Sequence, residues 1–590
     1  MLRAVASANR PVLALGAKIC GGKGKQGEVV LPTEVKPHEP TSKSEMERIL
    51  KALDSKRAEW SALSAQERAV LLRACIDTTL AVVREAGRAG ERAKGSYGQG
   101  PAEEMQAWFP TISGLREYAE ALEARGSPQP QNIRRRPDGQ AVADVFPLGL
   151  ESLLFGGFRG EVWIQPGQEP SQGSLYRSQE KGEAPESKGI GLVLGAGNQL
   201  SVASLDIVHK LIVDDEVVVC KMNPVNDYYG PFLRRAFQPL VDRGFVEFVY
   251  GAGEEGKFLC QHPLVCSIHL TGSAATYDAI VWQGKPKKGA PPCAKHVGAE
   301  LGCVTPYIVV PGPWTEADLD YHADNLAAGK THNAGHNCLA AELVVTDAEW
   351  ELRDSFMAAL RRKLDAAARR VAYYPHSDAK FREFKARFKN AEELGRLPDD
   401  GAGESATQPW LLQAGLSPAA ADVQNEHWCG VLQEVAIPGC GGDAGKFLAK
   451  AVEFANSKAW GTLSCALCIH PQSQKEHAQA FDRAVADLRY GCIVVNGPTI
   501  LGFAISKLTW GAFPGNTPES IGSGNCFVHN TMLFDHPQKS VLYAPWKFVP
   551  KPFWATDHHN LEKLTARALT FMGHPSLKNV LAAVPEALKG

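Results

Sequence analysis

No stretch of this sequence carries the roughly 18 uninterrupted apolar residues that a membrane-spanning helix needs. Even CIVVNGPTILGFAI, residues 492–505, is broken by Asn496, Gly497 and Pro498, so no membrane span is expected. Charge of one sign is lacking too. A net charge of −2 over 590 residues supplies no field that would gather nucleic acid or an anionic membrane surface, and neither is expected as a partner. The 14 cysteines show no regular spacing in a chain far longer than a disulfide-stapled domain, which points to free thiols in a reducing compartment, cytoplasmic or organellar. Acid is absent from the first 27 residues, which hold Arg3, Arg10, Lys18, Lys23 and Lys25. That bias suits a mitochondrial or plastid transit peptide. Ser7 is its lone hydroxyl, however, and GGKGKQG (21–27) suits a flexible tail equally. Residues 1–40 read as one or the other.

What is present begins with helices. Residues 44–60 and 65–95 carry helical patterns, and Ser64 with Glu67 forms a capping box before an apolar run. A further helix is expected near 104–124. Residues 125–185 are less regular, with strand-like runs at 141–146 and 161–164, and Arg134–Arg136 reads as a solvated turn. From 190 onward the apolar runs IGLVL, EVVVCK, VEFVY and SIHLTG alternate with helical patterns at 199–213, 227–242 and 253–261. That alternation predicts an α/β, Rossmann-like parallel sheet that binds ligands at the carboxyl ends of its strands. A second α/β alternation starts at PYIVV (306–310), passes through a helix at 316–330 that Thr315 and Asp318 can cap, and reaches ELVVT (342–346). Cys338 falls in the helix-to-strand connection just before that last strand.

GAGEEG (251–256) follows a strand and opens a helix, the context of a dinucleotide fingerprint, although a tight turn needs glycines anyway and no acid follows for a ribose. TGSAAT (271–276) repeats the offer at the next strand end, where Gly272 and Ser273 can face a phosphate. No metal site is expected. Cys465 and Cys468 of CALC lie in a strand-like run, where residues three apart point to opposite faces, and Asp557, His558 and His559 precede a helix with no ligand at metal spacing. A constellation remains: Asn198 in GAGNQLS, Glu300 in GAELG and Cys338 in NAGHNC. A thiol nucleophile needs a carboxylate base and a donor aimed at the oxyanion it creates, and these are residues of those three types.

The order of these motifs resembles that of the aldehyde dehydrogenase superfamily. An Asn stands at the end of the first cofactor-domain strand, then Lys221, TGS, ELG and N-x-G-x-x-C, and the likeness continues through HWCGVLQEV, ANSKAWGTLS and GCIVVNGPT to cover about 45–525. The resemblance implies NAD(P)-dependent oxidation of an aldehyde through a cysteine thiohemiacetal and thioester. It makes Cys338 the nucleophile, Glu300 the base that activates the deacylating water, and Asn198 the oxyanion donor together with the Cys338 N–H. Lys221 falls by the adenosine ribose, Gly253, Gly272 and Ser273 by the phosphates, and Glu426 with Trp428 by the nicotinamide end. It further implies a cofactor domain over 41–300, a catalytic domain over 301–524 and a homo-oligomer. Residues 525–590 have no counterpart in it and are expected to pack over the domain or form a subunit contact. His336 either helps the thiol or points away from it. Pro224 stands where the family often has the Glu that binds a ribose 2′-OH, so NAD and NADP both stay open. The alternatives are a CoA-acylating dehydrogenase, which typically lacks a carboxylate at the Glu300 position, and a catalytically silent relative. The aldehyde itself is not legible.

Overall fold

Two sheets organise the chain in a computed structural model that describes residues 29–33, 35–181, 188–397 and 406–590. The basic, acid-free segment ahead of residue 28 lies outside the described residues. The smaller sheet has five parallel strands in the order His296–Leu301, Val265–Gly272, Ile190–Leu194, Val217–Lys221, Val246–Val249. Val217–Lys221 is buried along its whole length, as strands covered on both faces must be. The chain runs outward from the first strand through the second and third, then returns to the other side of the first. The carboxyl ends of Ile190–Leu194 and Val265–Gly272 therefore flank a topological switch point, the usual crevice for a ligand in such sheets.

The larger sheet has eleven strands. Its centre is parallel, with Val431–Ile437, Ala341–Asp347, Thr305–Val309, Ser464–Cys468, Cys492–Val495 and Pro537–Tyr543 side by side. Antiparallel strands Arg159–Ile164, Ala141–Phe146 and Asn132–Arg135 complete one edge. The irregular stretch 125–185 thus adds its strands to this sheet, and Pro537–Tyr543 joins it from the C-terminal segment. Cys465 and Cys468 lie on opposite faces of their strand, each within a different apolar core.

Local chemistry sets the helix ends. The Ser64–Glu67 capping box opens Ala65–Lys94, and Thr315 with Asp318 does the same for Glu316–Thr331. Where one helix is expected over 104–124, two occur, Ala102–Gln106 and Phe109–Glu123, with Pro110 in the first turn of the second. Residues 227–242 likewise split into the 3-10 turn Asp227–Tyr229 and the helices Gly230–Ala236 and Gln238–Asp242, with Pro231 and Pro239 in their first turns. Proline lacks the N–H that would continue the preceding turn, so it starts helices and interrupts longer ones. The run at 134–136 is no solvated turn. Arg134 lies on an edge strand and pairs with Asp144 at 2.6 Å and Glu161 at 2.5 Å, while Arg136 covers the Trp163 ring at 4.3 Å. Carboxylates across the sheet hold these charges. The N-terminal helices lock to the smaller sheet through the fully buried Arg68–Asp215 pair at 2.6 Å. At the other end of the chain, Leu561–Gly573 packs on Phe109–Glu123, where Arg116 Nε donates to the Met572 carbonyl at 2.7 Å.

Candidate active site

Cys338 follows the helix Glu316–Thr331 and precedes the strand Ala341–Asp347. The chain turns there through three successive left-handed residues, Asn333 at φ +53°, Ala334 at φ +56° and Gly335 at φ +77°. Ala334 takes that conformation at a steric cost, the kind of local strain that persists only where surroundings hold it. At Gly335 a Cβ would also lie 3.0 Å from the Cys429 carbonyl oxygen, so the motif's glycine is required by close approach as well as by φ. Asn333 is the hub of the turn. Its amide donates to the carbonyl of His336 at 3.0 Å and of Asn198 at 3.3 Å, and its oxygen accepts from Lys94 at 3.2 Å and Tyr373 at 3.0 Å.

The Cys338 thiol donates to Glu300 Oε1 at 3.4 Å. Trp510 Nε1 donates to the same oxygen at 2.9 Å, whereas the buried Glu300 Oε2 has no partner. Glu300 is 1% exposed, and burial, opposed by the Trp510 hydrogen bond, pushes its carboxyl up to about 7. Burial and the facing Glu300 carboxylate raise the thiol well above its ordinary range. The pair therefore shares one proton that rests on sulfur, beside an acceptor poised near neutrality. Asn198 Nδ2 donates to the His336 carbonyl at 3.0 Å, which ties the amide to the turn that carries Cys338.

A cavity of about 1100 Å³ opens at the carboxyl ends of the smaller sheet, the upper end of the range for ligand sites. Cys338, Glu300, Asn198, Lys221, Gly253, Gly272, Ser273, Glu426 and Trp428 all line it. A second, narrower cavity of about 110 Å³ reaches Cys338 and Asn198 from the other side. The thiol therefore stands in the wall between two spaces. Lys221 is buried, its ammonium makes no hydrogen bond or ion pair among the described residues, and burial lowers its pKa. Ser273 caps the helix Ala274–Val281 by accepting from Thr276 N at 3.2 Å. A Cβ at Gly253 or Gly256 would meet nothing within 4 Å, so there is open room along that turn. Half-buried Glu426 accepts from Cys303 N at 3.1 Å, and desolvation with the neighbouring Glu342 charge raises it to about 8. A Cβ at Gly302 would lie 2.1 Å from Glu426 Oε2, and only glycine allows that carboxyl so close to the end of the Glu300 strand.

His336 faces away from both cavities. Its ring meets Tyr373 edge-on at 4.8 Å and stacks with Tyr374 at 5.7 Å, and burial lowers it to about 3. Several residues that shape the site are not evident from sequence. Lys94 donates to the Asn198 carbonyl at 2.8 Å and to Glu104 at 3.1 Å, Trp510 holds Glu300, and Glu342 receives the His427 and Trp428 N–H groups, each at 2.9 Å, fixing the turn that carries Glu426. Lys94 looks like an ordinary helix-terminal lysine, and Trp510 lies in a stretch without pattern. No group of three or more potential metal ligands occurs among the described residues, and none of their helices is long and apolar enough to cross a membrane.

The aldehyde dehydrogenase family model matches residues 204–374. D-glyceraldehyde dehydrogenase (NADP(+)) of Thermoplasma acidophilum is 33% identical over 150 residues, 24% of this chain and 28% of the relative. The match thus spans less than a third of that relative's length. Among solved structures, NADP-dependent glyceraldehyde-3-phosphate dehydrogenase from Bacillus halodurans C-125 complexed with NADP aligns at TM-score 0.59 with 16% identity, over 88% of this chain and 99% of that one. Gamma-glutamyl-gamma-aminobutyraldehyde dehydrogenase from Burkholderia cenocepacia J2315 aligns at TM-score 0.59 with 17% identity, over 90% and 99% of the two chains. At such identities these structures give the fold alone.

Proposed function

We propose that this chain, which belongs to the aldehyde dehydrogenase superfamily, oxidises an aldehyde to a carboxylic acid with NADP or NAD through a thioester on Cys338. One observation carries the reading: Cys338 and Asn198 line both cavities, and Glu300 lies 3.4 Å from the thiol. A nucleophile reached from two sides suits a reaction in which one partner brings the carbonyl and the other takes its hydride.

The larger cavity fits a dinucleotide by its size and by its lone buried cation. Lys221 would meet the adenosine ribose, Gly272 and Ser273 the pyrophosphate, and Glu426 the nicotinamide ribose. Lys257 also lines this space, and Pro224 puts no carboxylate at the position three residues past Lys221, which favours a 2′-phosphate and hence NADP. A nicotinamide held by these residues would supply the hydride acceptor for the reaction at Cys338.

The aldehyde enters by the narrow cavity. Cys338 sulfur attacks its carbonyl carbon while the thiol proton passes to Glu300 Oε1, along the hydrogen bond already present. Asn198 Nδ2 has two N–H donors, one of them spent on His336, and the other with the Cys338 N–H serves the oxyanion. Loss of hydride leaves the acyl group on sulfur as a thioester. Glu300 first releases the thiol's proton to solvent; its unpartnered Oε2 then accepts a proton from water as that water attacks the thioester, and passing this proton to the departing sulfur frees the acid and returns the thiol. A carboxyl near 7 can both take and release that proton at neutral pH. The CoA-acylating alternative has no use for a water-activating oxygen such as Glu300 Oε2. The test is a steady-state screen of aldehydes with both nicotinamides, with and without CoA, following the absorbance of the reduced cofactor. Turnover without CoA is expected. A strict CoA requirement, or no turnover with any aldehyde, overturns the proposal.

A further inference from the structure

The segment 544–561, beyond the reach of any sequence motif, contributes residues 553–556 and 561 to the wall of the narrow cavity. Phe553, Trp554, Thr556 and Leu561 line it directly. The segment is fastened along one side to the helix that leads to Cys338: Phe548 N donates to the Tyr321 hydroxyl at 3.0 Å, Trp554 Nε1 to Asn325 at 2.8 Å and Thr556 to Asp324 at 2.6 Å. On the other side Gln106 donates to the Phe553 carbonyl at 3.1 Å. Each side chain on the helix is reached by a different residue of the segment, so the strap is tied down at intervals over the mouth.

The cavity behind it holds no free charge. Glu103 and Arg370, its charged residues, neutralise each other at 2.9 Å. His332 is kept neutral by burial, which lowers its pKa, and Gln199 is a buried amide. The rest of the wall includes Phe109, Val202, Leu339 and Phe503. A carboxylate or ammonium entering such a space would lose its hydration and find no unpaired opposite charge, only the neutral, unpartnered Gln199 amide, which costs several kcal/mol. A volume of about 110 Å³, at ~10–15 Å³ per water-sized group, holds roughly seven to eleven heavy atoms.

We propose, resting on the dehydrogenase reading above, that the C-terminal strap 544–561 selects the substrate, and that the substrate is an uncharged, mainly hydrocarbon aldehyde of roughly ten heavy atoms. Trp554 is its specificity-determining residue. Initial rates of the full chain are to be compared for hexanal, octanal, dodecanal, succinate semialdehyde and betaine aldehyde. Octanal should exceed both charged aldehydes in kcat/KM by about 100-fold or more. Trp554→Ala should raise the dodecanal-to-octanal ratio of kcat/KM by about tenfold, since it removes the largest side chain of the strap's wall. Trp554→Leu carries the same expectation if the alanine variant fails to fold. Independently of turnover, octanamide should protect Cys338 from alkylation, read by peptide mass mapping, while succinamate should not. A preferred charged aldehyde, or an unaltered chain-length ratio in the variant, overturns the proposal and leaves the dehydrogenase reading standing. Protection by octanamide with no aldehyde oxidised supports the apolar cavity and removes the dehydrogenase reading instead.

Discussion

The wide cavity is assembled from the carboxyl ends of five neighbouring strands, whereas the narrow one is assembled from segments more than 400 residues apart. Asn198, Lys221, Gly253, Ser273 and Glu300 each sit at or just past a strand of the smaller sheet. In the narrow cavity, Gln106 and Phe109 from the N-terminal helices face Phe503 and Trp554 from the far end of the chain. The difference lies in what supports each wall. Strand ends are positioned by local turn chemistry and one sheet register, while the tunnel depends on three separately folded elements meeting correctly. The first construction suits an unvarying ligand and the second a variable one.

The sharpest way to break this comparison is to remove the thiol, which with Asn198 lines both cavities. Cys338→Ala should lower aldehyde oxidation by about 10³-fold or more, with NADP still bound by fluorescence titration, because Lys221 and the glycine turns are untouched. Activity surviving in a clean preparation would end the covalent mechanism. Glu300→Gln comes next. Its carboxylate both receives the thiol proton and offers a bare oxygen to water, so stopped-flow traces should show slower acylation together with a steady rate lower by about 10²-fold or more. Unchanged turnover would exclude Glu300 as the base. Lys221→Ala addresses the wide cavity alone. Loss of a charge-assisted contact worth ~1.5–3 kcal/mol should raise the KM for NADP by at least about tenfold and leave the aldehyde KM near its original value. A change confined to the aldehyde KM would contradict the division of the two spaces.

The same comparison explains what could be read from sequence. A strand followed by a glycine or a capping serine is a local statement, and Ser273, Lys221 and the turn ahead of Cys338 declare themselves within a few residues. That Glu300 meets Cys338 was also legible, because a carboxylate in GAELG is of the type a thiol needs. Trp510 was not. Its role depends on a strand pairing, Trp510 with His529, that brings an indole to Glu300, and no periodicity marks it. Lys94 and Asn333 act through carbonyls on other segments, an interaction without a sequence pattern. The aromatic strap is the extreme case, since Phe553 and Trp554 lie among prolines in a stretch with neither helical nor strand period. Proline had the opposite effect at Pro110, Pro231 and Pro239, where a visible residue split helices that apolar spacing alone had joined.

The smallest expected effect is the pH profile, and it tests whether the two cavities are coupled through Glu300. Its carboxyl is raised from an ordinary 4.5 to about 7 because burial outweighs the Trp510 and Cys338 hydrogen bonds that lower it. The base form is therefore scarce below that value and forms as pH rises through it. If the carboxylate is the acting species, kcat/KM for octanal should climb about ninefold between pH 6 and 8, from roughly one-tenth to nine-tenths ionised. The thiol is also raised, so alkylation of Cys338 should accelerate over the same interval when Glu300 takes its proton, and further above it. In Glu300→Gln the inflection near neutrality should vanish from both curves. Retention of that inflection in the variant would move the titration to another group, with Glu426, raised to about 8, the next to substitute. A profile flat from pH 6 to 8 in the unaltered protein would mean that the proton on sulfur leaves by a route other than the 3.4 Å contact with Glu300.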